Sequence, residues 1–138
     1  MQNPRRIYDD RLYVHFVTFS VERRRQLLDK DHPRRILLGV LNNQLQKFSA
    51  RCLGFVIMPE HVHALLWFPA PGQLSSFMQG WKRNSSLLIR GWLQQHLPTA
   101  IPPADWGTRF WQRKYYAFEI YSSGKLEEKL HYIHLNPV

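Results

Sequence analysis

The order of apolar segments along the chain predicts a ferredoxin-like sandwich, an α+β fold (βαββαβ) in which an antiparallel sheet carries helices on one face. Three observations support this prediction. Four short apolar segments have the composition of strands, two longer segments have helical periodicity, and their order is strand, helix, strand, strand, helix, strand. One further short helix is predicted at the C-terminal end, outside this unit.

The first strand and first helix are predicted from residues 12–49. Residues 12–21 are almost all β-branched, aromatic or hydroxylated, which is typical of a strand buried on much of both faces. Asp31 and Pro33 then mark a helix start, because Asp caps well and proline is tolerated in the first turn. Apolar residues recur at helical spacing after them, so a helix is predicted over residues 32–49.

Two adjacent strands are predicted next, over residues 52–57 and 61–68. Both segments are too short and too apolar for any other buried element, and Met58-Pro59-Glu60 between them marks a turn. In a ferredoxin-like sheet the first and third strands form the central pair. This agrees with their being the most apolar segments.

The second half of the unit begins with a helix predicted over residues 73–95. Its predicted apolar face consists of Leu74, Phe77, Met78, Trp81, Leu88, Ile89 and Trp92. Prolines make residues 97–110 an irregular loop, and a fourth strand is predicted over residues 114–121. The last helix follows Ser122-Ser123-Gly124 and ends at Asn136-Pro137, since proline biases the preceding residue away from helical torsions.

Composition limits the class of protein. Lys and Arg number 19 against 10 Asp and Glu, which gives a net charge of +9, and a field of this sign attracts polyanions, most often nucleic acid. The one cysteine, Cys52, excludes a disulfide framework and a cysteine-built zinc site, and suits a reducing cytoplasm. We expect no export signal and no membrane anchor, and one domain over residues 1–138 that begins with a basic arm, residues 1–11.

A pair of histidines opens the third predicted strand. His61 and His63 stand at positions i and i+2, so both imidazoles point to the same face of the sheet. This is a metal-ligand geometry, although such pairs are more often core or surface residues. On the last helix, Tyr132 and Asn136 stand at i and i+4 and therefore share a face.

Together these four residues favour the interpretation that the protein is an enzyme. Two imidazoles and an amide oxygen, with open positions for water and a phosphate, suit Mg²⁺ or Mn²⁺ better than a closed zinc site. Tyrosine is an accepted covalent nucleophile when it is positioned well and aided by a metal. Tyr115-Tyr116 is a second candidate, but its two side chains point to opposite faces of a strand and neither has an amide four residues later.

These residues also resemble a known family. Met58-Pro59-Glu60-His61-Val62-His63 resembles the His-hydrophobic-His (HUH) motif of single-tyrosine transposases, and Tyr132-Ile133-His134-Leu135-Asn136-Pro137-Val138 resembles their catalytic helix. The pattern is most similar to REP-associated tyrosine transposases, which also have a Phe-Trp-Gln stretch, here Phe110-Trp111-Gln112. Glu60 departs from the family, in which many members have Asn at this position.

The resemblance implies specific roles. His61, His63 and Asn136 would bind the Mg²⁺ or Mn²⁺ cofactor, and Tyr132 would attack single-stranded DNA, leaving a 5′-phosphotyrosine and a free 3′-OH. The implied partners are hairpin-forming palindromes in DNA, bound by a monomer or a homodimer. The expected DNA contacts are Arg5, Arg6, Lys82, Arg83, Trp111 and Lys114. For Trp111, stacking on unpaired bases and packing against the sheet are equally consistent with the sequence.

Two other classes of protein share some of these features. A histidine-triad nucleotide hydrolase also begins with His-x-His on a strand, but it needs a third histidine at position 65, which is Leu. A non-catalytic DNA-binding protein that recognises palindromic hairpins accounts equally well for the basic charge and the aromatic residues. Such a binder has no need of two imidazoles, a phenol and an amide together, so the enzyme is favoured.

Overall fold

The structure is a computed structural model that describes residues 14–135. Three expected site residues, Arg5, Arg6 and Asn136, lie outside the described residues, as does the predicted basic arm. None of the helices within the described range is long and apolar enough to cross a membrane.

Four strands form one antiparallel sheet. They are β1 (Val14–Ser20), β2 (Arg51–Ile57), β3 (His61–Trp67) and β4 (Tyr116–Ile120). Their order across the sheet is β2-β3-β1-β4, and every neighbouring pair is antiparallel. This is the strand order of a ferredoxin-like sandwich, so the predicted fold class is confirmed, including the central position of β1 and β3.

Three helices complete the fold: α1 (Asp31–Phe48), α2 (Leu74–His96) and α3 (Ser123–Leu135). The first two pack on one face of the sheet and bury the main core, to which β3 contributes Val62, Ala64 and Leu66. The third packs on the opposite face over a smaller cluster, which consists of Val14, Phe16, Val56, Leu65, Ile120 and Ile133. Because strand side chains alternate, the face that α3 covers is the face of His61 and His63.

Two details of the prediction need correction. The fourth strand begins at Tyr116 rather than at residue 114, because the chain just before it pairs with the end of β1: Trp111 forms a bridge with Val21. Leu88 is 57% exposed and does not belong to the apolar face of α2. Successive helical residues differ by about 100° in direction, so burial of Ile89 turns Leu88 toward solvent.

The irregular loop over residues 97–110 is held by side chains from other elements. The Arg90 guanidinium on α2 donates hydrogen bonds to the carbonyl oxygens of Trp106 and Thr108. Asp105, within the loop, forms an ion pair with Arg25 at 2.7 Å. The long loop is therefore fixed against the main body by polar contacts as well as by the burial of Ile101 and Phe110.

Candidate active site

The histidine pair lies on the face of β3 that α3 covers, as its spacing predicts. The Nε2 atoms of His61 and His63 are 3.1 Å apart, and the ring centroids are 4.7 Å apart. Both rings are partly buried. The two imidazoles therefore converge on one point through the same ring nitrogen.

The other nitrogen of each ring is held by a neighbouring side chain. His61 Nδ1 lies 2.8 Å from a carboxylate oxygen of Glu60, and His63 Nδ1 lies 2.8 Å from the Thr18 hydroxyl. Thr18 reaches His63 because the two residues are directly opposite in the β1–β3 register. Metal-binding histidines almost always have such a partner, which orients the ring and fixes the proton on the nitrogen away from the metal.

With both rings neutral, two proton arrangements are consistent with the contacts to Thr18 and Glu60. In one, the Thr18 hydroxyl donates to His63, the His63 Nε2–H donates to His61, and the His61 Nδ1–H donates to Glu60. In the other, both rings carry the proton on Nδ1 and Thr18 accepts. The second arrangement leaves two lone pairs facing each other, which requires a cation between them.

The observed spacing fits a divalent cation. Adjacent ligands at roughly 2.1 Å from an octahedral ion lie about 3 Å apart, close to the separation of the two Nε2 atoms. Among residues 14–135, no group of three or more His, Cys, Asp or Glu lies close enough together to hold a metal ion. The third expected ligand, Asn136, is an amide outside that range.

The electrostatic surroundings keep His63 neutral. Burial lowers the pKa of His63 to about 4, with smaller contributions in the same direction from His61 and from the Lys129 ammonium. A neutral imidazole is the form that binds a metal. The His63 ring therefore stays ready for coordination well below neutral pH.

Helix α3 brings Tyr132 to the histidine pair. The centroid of the Tyr132 ring is 5.6 Å from that of His63 and 6.2 Å from that of Phe16. Tyr132 is 43% exposed, so it lies at the opening of the site, where a large substrate has access. The expected nucleophile and two of the three expected ligands are thus brought together from distant parts of the chain.

A cation that sequence reasoning missed lies beside Tyr132. The Lys129 ammonium is 5.0 Å from the ring centroids of both Phe16 and Phe118, and 5.8 Å from that of Tyr132. Three aromatic faces thus hold one positive charge at the site. The spacing of Lys129 and Tyr132, i and i+3 on the last helix, was the available signal.

The expected DNA contacts that fall within residues 14–135 lie elsewhere, around the segment that leads into β4. Arg83 and Lys114 are exposed, whereas the Lys82 ammonium donates hydrogen bonds to the carbonyl oxygens of Gln112 and Arg113 at 2.8 and 3.2 Å. Trp111 is buried, with its Nε1–H donating to the Ser85 hydroxyl and its ring 4.7 Å from that of Phe19. The packing alternative for Trp111 is therefore the one observed.

Comparisons with known proteins agree with this architecture. A sequence model of the family described as "Transposase IS200 like" matches residues 9–136. A comparison with curated proteins gives no match.

Two solved structures have a similar fold. One is a REP-associated tyrosine transposase bound to a REP hairpin, with a TM-score of 0.68 and 20% identity; the match covers 90% of this chain and 66% of that one. The other is a protein from Deinococcus radiodurans R1 assigned as a transposase, with a TM-score of 0.62 and 19% identity, covering 88% of each chain. At these identities the likeness establishes the fold.

Proposed function

Because the chain belongs to the IS200-like transposase family, we propose that it cleaves and rejoins single-stranded DNA at hairpin-forming palindromic repeats, with Tyr132 as the nucleophile and Mg²⁺ or Mn²⁺ as the cofactor. The hairpin substrate is suggested by the structural neighbour that is bound to a REP hairpin.

One observation carries this proposal: Tyr132 on α3 lies against His63 on β3, with 5.6 Å between their ring centroids. Nothing in the packing of a pure binding protein requires a half-exposed phenol beside two imidazoles whose Nε2 atoms converge. A phenol next to a metal-type histidine pair is instead the arrangement that covalent attack on a phosphodiester needs.

The proposed reaction exchanges one phosphodiester bond for another. The Tyr132 phenol oxygen attacks the scissile phosphorus, its proton passes to solvent, and a new O–P bond forms. The bond from phosphorus to the 3′ oxygen breaks, and that oxygen takes up a proton to become a free 3′-OH. The reverse attack by the hydroxyl rejoins the strand without an external energy source, because the phosphotyrosine retains the phosphodiester linkage.

The chain's own residues have distinct parts in this scheme. His61 and His63 would hold the cation through Nε2, with Asn136 as the proposed third ligand. When bound there, a divalent cation would supply neutralisation of charge on a non-bridging phosphate oxygen. Glu60 and Thr18 orient the imidazoles, and the Lys129 ammonium adds a second positive charge beside Tyr132.

The test is a covalent adduct. End-labelled single-stranded hairpin DNA from the source genome is mixed with the protein, with and without Mn²⁺, and analysed on a denaturing gel. The wild type should form a metal-dependent adduct and Tyr132→Phe should form none. Tyr116→Phe is the matched control, because Tyr116 is 80% exposed on β4, and it should react like the wild type.

Two outcomes would contradict the proposal. An adduct formed by Tyr132→Phe would show that the nucleophile is another residue. A wild type that binds the hairpin tightly and never forms an adduct would show that the protein is a non-catalytic DNA-binding relative. His61→Ala should lose the adduct and retain DNA binding, which separates metal-dependent chemistry from affinity.

A further inference from the structure

Three aromatic rings surround one cation beside the candidate nucleophile. The Lys129 ammonium is 5.0 Å from the ring centroids of both Phe16 on β1 and Phe118 on β4, and 5.8 Å from that of Tyr132. All three distances are within the range of cation–π contacts. Phe118 and Tyr132 are 44% and 43% exposed, so this aromatic cage of Phe16, Phe118 and Tyr132 is open to solvent.

The aromatic cage holds the charge of Lys129 without neutralising it. Among residues 14–135, no carboxylate lies within 4.0 Å of the Lys129 ammonium, and the described ion pair on α3 joins Lys125 to Glu128 at 3.2 Å. Ring faces attract a cation through their quadrupoles, but they carry no net charge. The positive charge is therefore available to an anion that approaches Tyr132.

The charge of Lys129 acts within the candidate active site. After burial and the neighbouring His61, it is the third cause that lowers the pKa of His63. The Phe16 ring lies between the two residues, since it contacts Lys129 and also stacks on the His63 ring with 5.5 Å between centroids. Lys129 and Tyr132 stand at i and i+3, so the ammonium and the phenol are kept near each other by the local geometry of one helix.

The proposed reaction develops negative charge at this position. The Tyr132 phenol oxygen forms a bond to phosphorus while the bond from phosphorus to the 3′ oxygen breaks. The phenol proton passes to solvent, and the 3′ oxygen takes up a proton. In such a transfer the transition-state charge is spread over the non-bridging oxygens, and a cation fixed beside them lowers the barrier without having to reorganise.

We propose that Lys129 is a catalytic residue of this reaction, whose ammonium contacts a non-bridging oxygen of the scissile phosphate and stabilises the negative charge of the transition state. Lys129 keeps its own protons throughout, so its part is electrostatic. This role rests on the proposed function, because it concerns the same reaction. The competing role is structural: the aromatic cage also joins α3 to β1 and β4, so Lys129 could serve only to dock the helix.

Three variants separate charge from packing. K129M removes the charge and keeps a long, unbranched side chain that packs well against aromatic rings. K129R changes the shape of the head group and keeps the charge. K125M is the matched control, because it removes the same charge from the same helix at an exposed position, where the ammonium pairs with Glu128.

The test measures the single-turnover rate of adduct formation on labelled hairpin DNA, with saturating Mn²⁺ and a series of DNA concentrations. K129M should lower the maximal rate by about 100-fold, the lower end of the usual loss when one charge-stabilising group is removed. Its half-saturating DNA concentration should change by less than about threefold, because the contact is made in the transition state. K129R should stay within about tenfold of the wild type, and K125M should match it.

A substrate with less charge tests the phosphate contact itself. A methylphosphonate at the scissile position replaces one non-bridging oxygen by a methyl group, which leaves little negative charge for Lys129 to stabilise. With this DNA, K129M and the wild type should react at rates within about threefold of each other, because removing both partners of one contact is not additive. If K129M remained about 100-fold slower, Lys129 would act on the position of Tyr132 and not on the phosphate, which would overturn the proposal.

The remaining outcomes are also decisive. With ordinary hairpin DNA, a wild-type rate in K129M would show that the charge is not used. Equal losses in K129M and K129R would show that Lys129 only docks α3, and an equal loss in K125M would show a general effect of helix charge. Each of these results overturns the role of Lys129 and leaves the proposed function intact. A wild type that forms no adduct would overturn both.

Discussion

At His63, one imidazole is held from three sides. Thr18 contacts its Nδ1, His61 contacts its Nε2, and the Phe16 ring stacks on its face with 5.5 Å between centroids. A ring fixed in this way has lost its rotational freedom before any ligand arrives. The orientation of the histidine pair is therefore part of the fold, and single side chains around it control its affinity for a metal.

Removing the Thr18 hydroxyl should weaken metal binding. Thr18→Val keeps the β-branched shape of the side chain and leaves His63 Nδ1 without a partner, so we expect about tenfold weaker Mn²⁺ affinity, the lower end of the usual range for such contacts. Thr18→Ser keeps the hydroxyl and should bind as the wild type does. Isothermal titration calorimetry measures both, and equal affinities in all three proteins would show that the contact has no orienting role.

The lowered pKa of His63 predicts a pH dependence. Its neighbours include His61 and the Lys129 ammonium, and the pKa falls from 6.5 to about 4. Between these two pH values the unfolded chain binds a proton at this residue and the folded chain does not. Stability should therefore decrease as the pH falls through this window. NMR titration of the metal-free protein should show His63 titrating near pH 4, and a midpoint near 6.5 would contradict the burial argument.

Strand alternation alone placed His61 and His63 on one face, because side chains on a strand strictly alternate. The same local rule could not identify Thr18 or Lys129 as their neighbours. Thr18 reaches His63 only through the register of β1 with β3, and Lys129 reaches Phe16 only through the way α3 docks on the sheet. These two contacts depend on geometry between distant segments, which no single segment encodes; only the i, i+3 spacing of Lys129 and Tyr132 is local.

Helix α3 docks where the sheet offers no side chain. Gly54 on β2 faces it, and a Cβ atom at this position would lie 3.1 Å from Leu130 and 3.7 Å from Ile133. A branched side chain here would collide with the helix that carries Tyr132. The small residue in this edge strand therefore sets how closely α3 approaches the histidine face.

Gly54→Val should displace α3 without unfolding the sheet. We expect a loss of about 1–3 kcal/mol in the stability of the docked helix, typical of overpacking, and a marked decrease in adduct formation. The Thr18–His63 contact joins β1 and β3 and should persist, whereas moving Tyr132 and Lys129 away from His63 should raise the pKa of His63 toward its ordinary value in an NMR titration. Wild-type adduct yield in this variant would show that close docking of α3 is not needed.

Element types were predictable because each helix and strand has a clear apolar period, and the predicted helix over 32–49 differs from α1 by one residue at each end. The start of β4 was not predictable from composition. Residues 114 and 115 have the composition of a strand, yet the segment before Tyr116 is held elsewhere: Trp111 pairs with Val21, and the Lys82 ammonium binds the carbonyl oxygens of residues 112 and 113. The start of β4 therefore depends on contacts with other elements.

The two faces of the sheet differ greatly in what they bury. Helix α2 buries six side chains: Phe77, Met78, Trp81, Ser85, Ile89 and Leu93. Among the described residues of α3, only Ile133 is fully buried, with Leu126 and Leu130 partly buried beside it. Complete burial of one large apolar side chain contributes about 1.5–3 kcal/mol, so the main core dominates the stability of the whole molecule.

Native-state hydrogen exchange should therefore show two levels of stability. Amides in α2 and β1 should exchange only through global unfolding, whereas amides in α3 should exchange at free energies several kcal/mol lower, through local opening. Denaturant dependence distinguishes the two routes. If α3 and α2 exchanged with the same free energy, the smaller cluster under α3 would be as stabilising as the main core.

The candidate catalytic residues and the main core lie on opposite faces of the sheet, and this separation affects how the protein can evolve. Thr18, His61, His63 and Tyr132 lie on the side away from the main core, so replacing them removes chemistry while leaving most of the folding energy in place. A non-catalytic relative that only binds DNA could therefore arise through a few substitutions that remove the histidine pair and the tyrosine. It would still inherit the intact scaffold.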